Sequence, residues 1–179
     1  MEILRTISLY TDGKNMPFLL IGGHAVNAYG ISRQTGDLDI LVQRDSKSLW
    51  IELMKKLHYS IVQDDSRFAR FTPDTIAAWP IDLMFVDVST FQKLFEHSRD
   101  IAIGATTVKV VSPKHLVTLK IHALKHYQEH RFVKDYNDLL QLLKMHCQDL
   151  DPQDLKDLCL RYADLSLYDR IQTDLNERR

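Results

Sequence analysis

Asp37 and Asp39 are the residues whose types and spacing best suit chemistry in this sequence. In an extended strand, residues two positions apart point to the same face, so both carboxylates would project together while Leu38 and Ile40 face the core. Aspartate is uncommon in strands, and adjacent carboxylates repel one another unless a cation lies between them. Because Mg²⁺ prefers a few carboxylates together with phosphate oxygens, the pattern indicates a metal and phosphate site. The alternative is a polar strand face turned to water.

A pair of glycines, Gly22 and Gly23, precedes these aspartates, with thirteen residues between Gly23 and Asp37. The apolar run 17–21 before the pair predicts a short buried strand, and the residues after it predict a helix. Glycines have no Cβ, so they allow a sharp turn and the close approach of a ligand, and the N-terminus of a helix attracts phosphate. An ordinary tight turn has the same pattern. It is the combination with the aspartates that favours a metal and phosphate site.

A third candidate carboxylate lies in the apolar run 81–86, which predicts another buried strand. Asp82 is set into this run and Asp87 follows its end, so the two side chains would point to opposite faces. A carboxylate inside so apolar a strand is costly unless it is paired or bound to a metal. An aspartate on an edge strand, facing water, is the alternative reading of Asp82.

The elements that must position these residues follow from the apolar pattern. It predicts helices near 1–10, 46–58 and 90–98, strands at 59–62, 68–72 and 81–86, and a hairpin over 101–111. Ser112-Pro113 is a favourable helix start, and helical patterns continue from there towards the C-terminus. The sequence therefore predicts an α+β fold with a C-terminal helical portion.

Charged residues in the predicted helical portion are further candidates. Lys120 lies within an apolar helix stripe, where a lysine either extends along its methylenes to water or reaches a charged group. Asp135 and Asp138, three positions apart near the start of another helix, share a helix face and could position Lys134 or Arg131. Acidic residues are also common there simply because they suit the helix dipole.

Composition narrows the class of protein. A chain of 179 residues with a formal net charge of -1 has no overall positive field for nonspecific nucleic-acid binding, so RNA would need a local basic segment. Cys147 and Cys159 are too few for a disulfide framework or a cysteine zinc site, and we expect reduced thiols. The N-terminal stretch lacks the apolar core of a signal peptide, and no run reaches transmembrane length. We expect a soluble cytoplasmic protein without a membrane partner.

The stretch GGHAVNAYGISRQTGDLDI, with its GG-x13-D-x-D pattern, resembles the nucleotidyltransferase fold of the DNA polymerase β-like superfamily. It is most similar to the small bacterial branch that includes AbiEii/AbiGii-type toxins. The resemblance is strong over 20–42 and looser over the rest of 17–145. It implies a mixed twisted sheet flanked by helices, with a nucleotidyltransferase core over 1–111 and a helical portion over 112–179 packed against it.

The resemblance also implies roles for residues. Asp37, Asp39 and Asp82 would be the catalytic carboxylates and the metal ligands, and the I-D-L context favours Asp82 over Asp87. Two Mg²⁺ ions are expected, with Mn²⁺ able to substitute. The implied nucleotide-binding residues are Gly22, Gly23, Arg33, Thr35, Lys120, Lys134 and Asp135.

The implied activity is transfer of a nucleoside monophosphate from a nucleoside triphosphate to an acceptor hydroxyl. In a toxin–antitoxin system the acceptor would be an RNA such as tRNA, and a cognate antitoxin or another protein would be a partner. The basic segment over 114–134 slightly favours RNA. The alternatives are a non-catalytic nucleotide-binding or interaction module, an enzyme that AMPylates a protein, and an enzyme that modifies a small-molecule antibiotic.

Overall fold

The computed structural model of the chain describes residues 2–75, 78–125 and 129–177, with side chains described for all of these except 129–131. The chain divides into two compact units, Met1–Ser112 and Pro113–Arg179. The first unit contains the glycine pair and the three candidate carboxylates. The second contains Lys120, Lys134 and Asp135.

The first unit is an α+β domain in which helices flank a mixed sheet. Its elements are α1 (Glu2–Thr11), β1 (Phe18–Leu20), α2 (Gly22–Ala28), β2 (Leu38–Gln43), α3 (Lys47–Lys56), β3 (Tyr59–Asp64), β4 (Phe68–Pro73), β5 (Ile81–Val86), α4 (Val88–Glu96), β6 (Arg99–Ile103) and β7 (Thr106–Val110). Over the described residues, the sheet has seven strands in the order β3-β4-β5-β2-β1-β7-β6. The expected fold class is therefore confirmed.

The central strands β2 and β5 run parallel to one another, and each has an antiparallel neighbour on its other side, β1 and β4 respectively. Their inward side chains form the core because apolar residues alternate with the aspartates. Leu38, Ile40 and Leu83 are fully buried. The parallel register places Asp39 opposite Asp82. Burial of one face of each strand thus turns the acidic residues of both strands to the other face.

The second unit is helical, as the sequence predicted for this region. Its elements are α5 (Pro113–Lys125), α6 (Glu129–His146), α7 (Pro152–Tyr162) and α8 (Leu165–Glu177). The Asp151 side chain caps α7 by accepting a hydrogen bond from the Gln153 backbone N–H at 2.6 Å, with Pro152 at the first helical position. None of the described helices has the length and apolar character that a membrane crossing needs.

Candidate metal and nucleotide site

The three candidate carboxylates converge at one place on the sheet. Asp37 immediately precedes β2, Asp39 lies within β2, and Asp82 lies within β5. One oxygen from each carboxylate lies within 4.8 Å of the others. Asp82 is only 4% exposed, whereas Asp37 and Asp39 are partly exposed. Three carboxylate oxygens at this spacing, with two of the side chains reaching solvent, suit a hard divalent cation that also binds phosphate.

Backbone hydrogen bonds fix the strand positions from which these side chains project. The Leu38 N–H donates to the Pro80 carbonyl at 2.9 Å, which ties the start of β2 to the residue before β5. The Ile21 N–H donates to the Asp39 carbonyl at 3.1 Å, which ties the end of β1 to the centre of the acidic motif. The backbone that carries the carboxylates is therefore hydrogen-bonded to the neighbouring strands.

The first glycine of the pair lies directly against the acidic motif. Gly22 has φ +62°, a left-handed conformation that L side chains rarely adopt. A Cβ added there would overlap the Asp39 carboxylate. Glycine is thus required at position 22 both for the turn into α2 and for the approach of the backbone to Asp39.

The side chains of the predicted residues Arg33 and Thr35 lie against Gly23, the second glycine of the pair. A Cβ on Gly23 would collide with the Arg33 guanidinium and the Thr35 hydroxyl. The Thr35 hydroxyl donates to the Asp37 carboxylate at 3.2 Å, and the Arg33 backbone N–H donates to the Asn27 side-chain oxygen at 3.0 Å. The loop before β2 is thereby held beside the glycine turn, with the Thr35 hydroxyl on the Asp37 carboxylate and the Arg33 guanidinium against Gly23.

A cationic residue that no sequence pattern singled out completes this arrangement. Arg70 on β4 binds both oxygens of Asp82, from Nε at 2.8 Å and from Nη2 at 2.5 Å. The same Nη2 lies 3.7 Å from an oxygen of Asp37. Hydrogen bonding to Asp82 and the negative charges around it raise the pKa of Arg70 above its ordinary value. Arg70 lies opposite Asp82 because of the antiparallel register of β4 and β5, which the residues of β4 alone do not indicate.

His24, the residue after the glycine pair, is buried and stacks on the ring of Trp79, with 4.6 Å between ring centroids. Burial lowers the pKa of His24, opposed by the negative charge of Asp37 and assisted by the positive charge of Arg33. The His24 imidazole therefore binds a proton less readily than a free histidine does, although it lies near the charge of Asp37. Sequence patterns gave it no role.

Asp87, the alternative to Asp82, has a different place. It precedes α4 and caps this helix by accepting a hydrogen bond from the Thr90 backbone N–H at 2.8 Å. Its carboxylate also accepts from the Ser89 hydroxyl at 2.6 Å, and these hydrogen bonds, the one from Ser89 first, hold its pKa well below the ordinary range. The carboxylate that joins Asp37 and Asp39 is that of Asp82.

The sequence of the chain matches a known protein family. The model of the family described as nucleotidyl transferase AbiEii toxin, type IV toxin–antitoxin system, matches residues 2–171. The chain belongs to the AbiEii family. The resemblance inferred from the GG-x13-D-x-D pattern is confirmed, and membership of this family supports nucleotidyl transfer. No curated protein sequence matches the chain.

Several solved structures share the fold of this AbiEii-family chain. The antibiotic-resistance factor ANT(2'')-Ia, in complex with adenylyl-2''-tobramycin, aligns with a TM-score of 0.67 at 12% identity, covering 90% of this chain and 95% of its own. The lincosamide antibiotic adenylyltransferase LnuA, bound to lincomycin, gives 0.58 at 15% identity, covering 79% and 95%. An antigenic nucleotidyltransferase-like protein from Paracoccidioides brasiliensis gives 0.57 at 17% identity, covering 93% and 90%. These similarities establish a nucleotidyltransferase fold.

Within the helical unit of this AbiEii-family chain, Lys120 is 5% exposed and does not extend to water. Its ammonium lies 2.6 Å from an oxygen of Asp135 and 2.7 Å from an oxygen of Asp138. It therefore reaches charged groups, the second of the two outcomes considered from the sequence. Both aspartates bind Lys120. That they also position Lys134 or Arg131 stays a prediction.

Lys134 is exposed on the same helix, α6. The Arg131 side chain, which belonged to the predicted basic segment, lies outside the described residues. A sequence pattern places Asp135 and Asp138 on one face of α6, but which cation they meet depends on how α5 and α6 pack. The packing of these two helices is not specified by neighbouring residues in the sequence.

Proposed function

We propose that this chain is a divalent-metal-dependent nucleotidyltransferase that moves a nucleoside monophosphate from a nucleoside triphosphate to an acceptor hydroxyl. The observation that carries the proposal is the convergence of three carboxylate oxygens, from Asp37, Asp39 and Asp82, within 4.8 Å of one another. They project from the parallel strands β2 and β5 and from the residue before β2, in a chain whose family and fold are those of nucleotidyltransferases.

The donor set fits Mg²⁺, with Mn²⁺ as a substitute. Mg²⁺ binds through a few carboxylates and keeps its other positions for water and substrate phosphate, and the partial exposure of Asp37 and Asp39 leaves room for both. When two such ions are bound, they lower the pKa of the attacking hydroxyl and offset the charge on the leaving pyrophosphate. Asp37, Asp39 and Asp82 would hold them.

The chain's own contribution is positioning and charge, which dominate phosphoryl-transfer chemistry. Gly22 places the backbone against Asp39, and the Thr35 hydroxyl orients the Asp37 carboxylate. We assign Gly22 and Gly23 to contacts with the nucleotide phosphates, as donors of backbone hydrogen bonds. We assign Thr35 to the same phosphates, to which its hydroxyl would donate after turning away from Asp37. We assign Arg33 to the same phosphates as a cation that offsets their negative charge.

For residues of the helical unit, the proposed role in nucleotide binding rests on their sequence motifs. Lys120, Lys134 and Asp135 match signatures of the family, and we propose that they take part in nucleotide binding. The buried ion pair between Lys120 and Asp135 would fix the lysine in a single orientation. Lys134 is exposed, so burial does not restrict its side chain, and it would offer its positive charge to a phosphate.

For the acceptor we propose the hydroxyl of an RNA, such as the end of a tRNA, and for the biological setting a toxin–antitoxin pair with a cognate antitoxin. The family's description as a type IV toxin supports this setting. The basic segment over 114–134 carries several lysine and arginine residues on a chain whose formal net charge is -1, which supports RNA as the acceptor. RNA and nucleoside triphosphates are cytoplasmic, so we place the reaction in the cytoplasm.

The test is to incubate the protein with each α-labelled nucleoside triphosphate, Mg²⁺, cell RNA, cell protein and representative aminoglycosides and lincosamides. We expect label on RNA; label on protein or on an antibiotic would replace the proposed acceptor. Asp37→Ala and Asp39→Ala should each lower the rate by at least about 10²-fold, or about 2.7 kcal/mol. Asp45→Ala removes an exposed carboxylate from the same unit and should retain wild-type activity.

Wild-type incorporation by both active-site variants would refute the assignment. Nucleotide binding without transfer to any acceptor would instead favour a non-catalytic module, and calorimetry with Mg²⁺ and nucleoside triphosphates would measure that binding.

A further inference from the structure

The Arg70 guanidinium binds both carboxylate oxygens of Asp82, which a bound metal ion would also need. Its guanidinium donates to both oxygens of Asp82, at 2.8 Å and 2.5 Å, in the paired geometry that makes arginine–carboxylate contacts strong. Asp82 is almost fully buried, so these two hydrogen bonds satisfy a carboxylate that has little access to water. In the protein without metal, Arg70 thus stabilises an otherwise unfavourable buried charge.

The influence of Arg70 extends over the whole acidic cluster. Its Nη2 lies 3.7 Å from Asp37, and the charges of Asp82, Asp37 and Asp39 all contribute to its raised pKa. One positive charge therefore offsets part of the repulsion among three carboxylates.

Such an arrangement conflicts with a divalent ion bound by all three carboxylates. The ion needs at least one Asp82 oxygen, and each of the two already uses one lone pair to accept a hydrogen bond from the guanidinium. A guanidinium and a divalent cation in contact with the same oxygen also repel one another. The Arg70 side chain is 39% exposed, so it already contacts solvent, unlike the buried Asp82 carboxylate that it binds.

We propose that Arg70 is an exchangeable counter-ion of this site. In the metal-free protein it holds Asp82, and it releases at least one Asp82 oxygen when a divalent ion binds. Its freed N–H groups then donate to the phosphate oxygens of the nucleotide that arrives with the ion. This inference rests on the proposed function, because it takes the three carboxylates to be the metal site.

The experiment measures binding rather than turnover. Mn²⁺ affinity is determined from the electron paramagnetic resonance signal of free Mn²⁺ in titrations of the protein alone. The affinity for α,β-methylene ATP is then determined by titrating the analogue at saturating Mn²⁺. A charge within about 4–6 Å shifts carboxylate equilibria by about tenfold or more, so Arg70→Gln should bind Mn²⁺ alone about tenfold more tightly than wild type. The same variant should bind the nucleotide analogue about tenfold more weakly.

Two further variants complete the design. Arg67→Gln removes an exposed arginine beside the same strand and should match wild type in both titrations. Arg70→Lys keeps the charge but cannot bond both Asp82 oxygens as a planar fork, so its gain in Mn²⁺ affinity should be smaller. If Arg70→Gln fails to fold, as judged by circular dichroism, the gain in Arg70→Lys alone decides the question.

An unchanged Mn²⁺ affinity in the Arg70 variants would overturn the exchange, because Arg70 would then be a static structural partner. An unchanged affinity for the analogue would overturn the transfer to phosphate. If wild type and Arg67→Gln bind no Mn²⁺ at all, the proposed metal-dependent function fails as well, so the two failures are distinguishable.

Discussion

Replacing Gly22 with alanine should disable the acidic site without changing a single charged group. Two penalties are expected. The first is the left-handed backbone at φ +62°, which costs a non-glycine residue about 1–2 kcal/mol. The second is steric, because the new Cβ would lie 2.7 Å from the Asp39 Cβ and would overlap its carboxylate as well. No rotamer of Asp39 relieves a contact with its own Cβ, so the turn or β2 must move.

The size of that movement follows from ordinary contact distances. Carbon atoms pack at about 3.5–4.0 Å, so the backbone and Asp39 must separate by about 1 Å. A displacement of about 1 Å at a reacting group is enough to cost about 10²-fold in rate. We therefore expect Gly22→Ala to lose about 10²-fold in nucleotidyl transfer, together with weaker Mn²⁺ binding.

Gly104 provides a matched control. It has φ +61° in the turn between β6 and β7, and a Cβ there would meet nothing within 4 Å. Gly104→Ala should therefore lower the free energy of unfolding by about 1–2 kcal/mol and leave Mn²⁺ binding unchanged. Urea denaturation and Mn²⁺ titration of both variants separate backbone strain from displacement of Asp39. If Gly22→Ala binds Mn²⁺ as tightly as Gly104→Ala does, the reasoning about Asp39 is wrong.

Two further predictions concern buried titratable groups. Lys120→Met should lower the free energy of unfolding by about 3–5 kcal/mol, because Asp135 and Asp138 would lose a cation within a largely buried site. Adding Asp138→Asn should restore part of this loss in urea denaturation, and a loss below about 1 kcal/mol for the single variant would contradict the prediction. Burial lowers the pKa of His24, so the unfolded chain, with a pKa near 6.5, binds this proton more readily than the folded protein does. Stability should fall as the pH drops below about 6.5, and less so in His24→Gln; equal pH dependence of the two urea midpoints would refute this.

The local features of the fold were predictable because they depend on neighbours in sequence. Alternation of apolar and acidic residues predicted which face of β2 carries Asp37 and Asp39, and the strand at 81–86 was predicted with the bounds it has. The glycine turn was predicted from residue types alone, and the structure adds the reason for Gly22, which is its contact with Asp39.

The partners of the charged groups were not predictable, because they depend on pairing between distant elements. Arg70 meets Asp82 only through the antiparallel register of β4 and β5, and nothing in the strand 68–72 itself indicates that partner. Lys120 meets Asp135 through the packing of α5 on α6, whereas the local pattern pointed to Lys134. A periodic pattern specifies the face that a side chain occupies, and only the register specifies what lies opposite.

The interior position of β2 and β5 in the strand order has a consequence for how the site is lost. Each of these strands is bonded on both sides, whereas β3 and β6 are the outer strands. Interior strands exchange their amide hydrogens mainly through global opening, while outer strands fray at little cost. Fraying of the outer strands should therefore leave the acidic cluster assembled. Denaturation should abolish cation binding and the fold of the first unit in a single cooperative step.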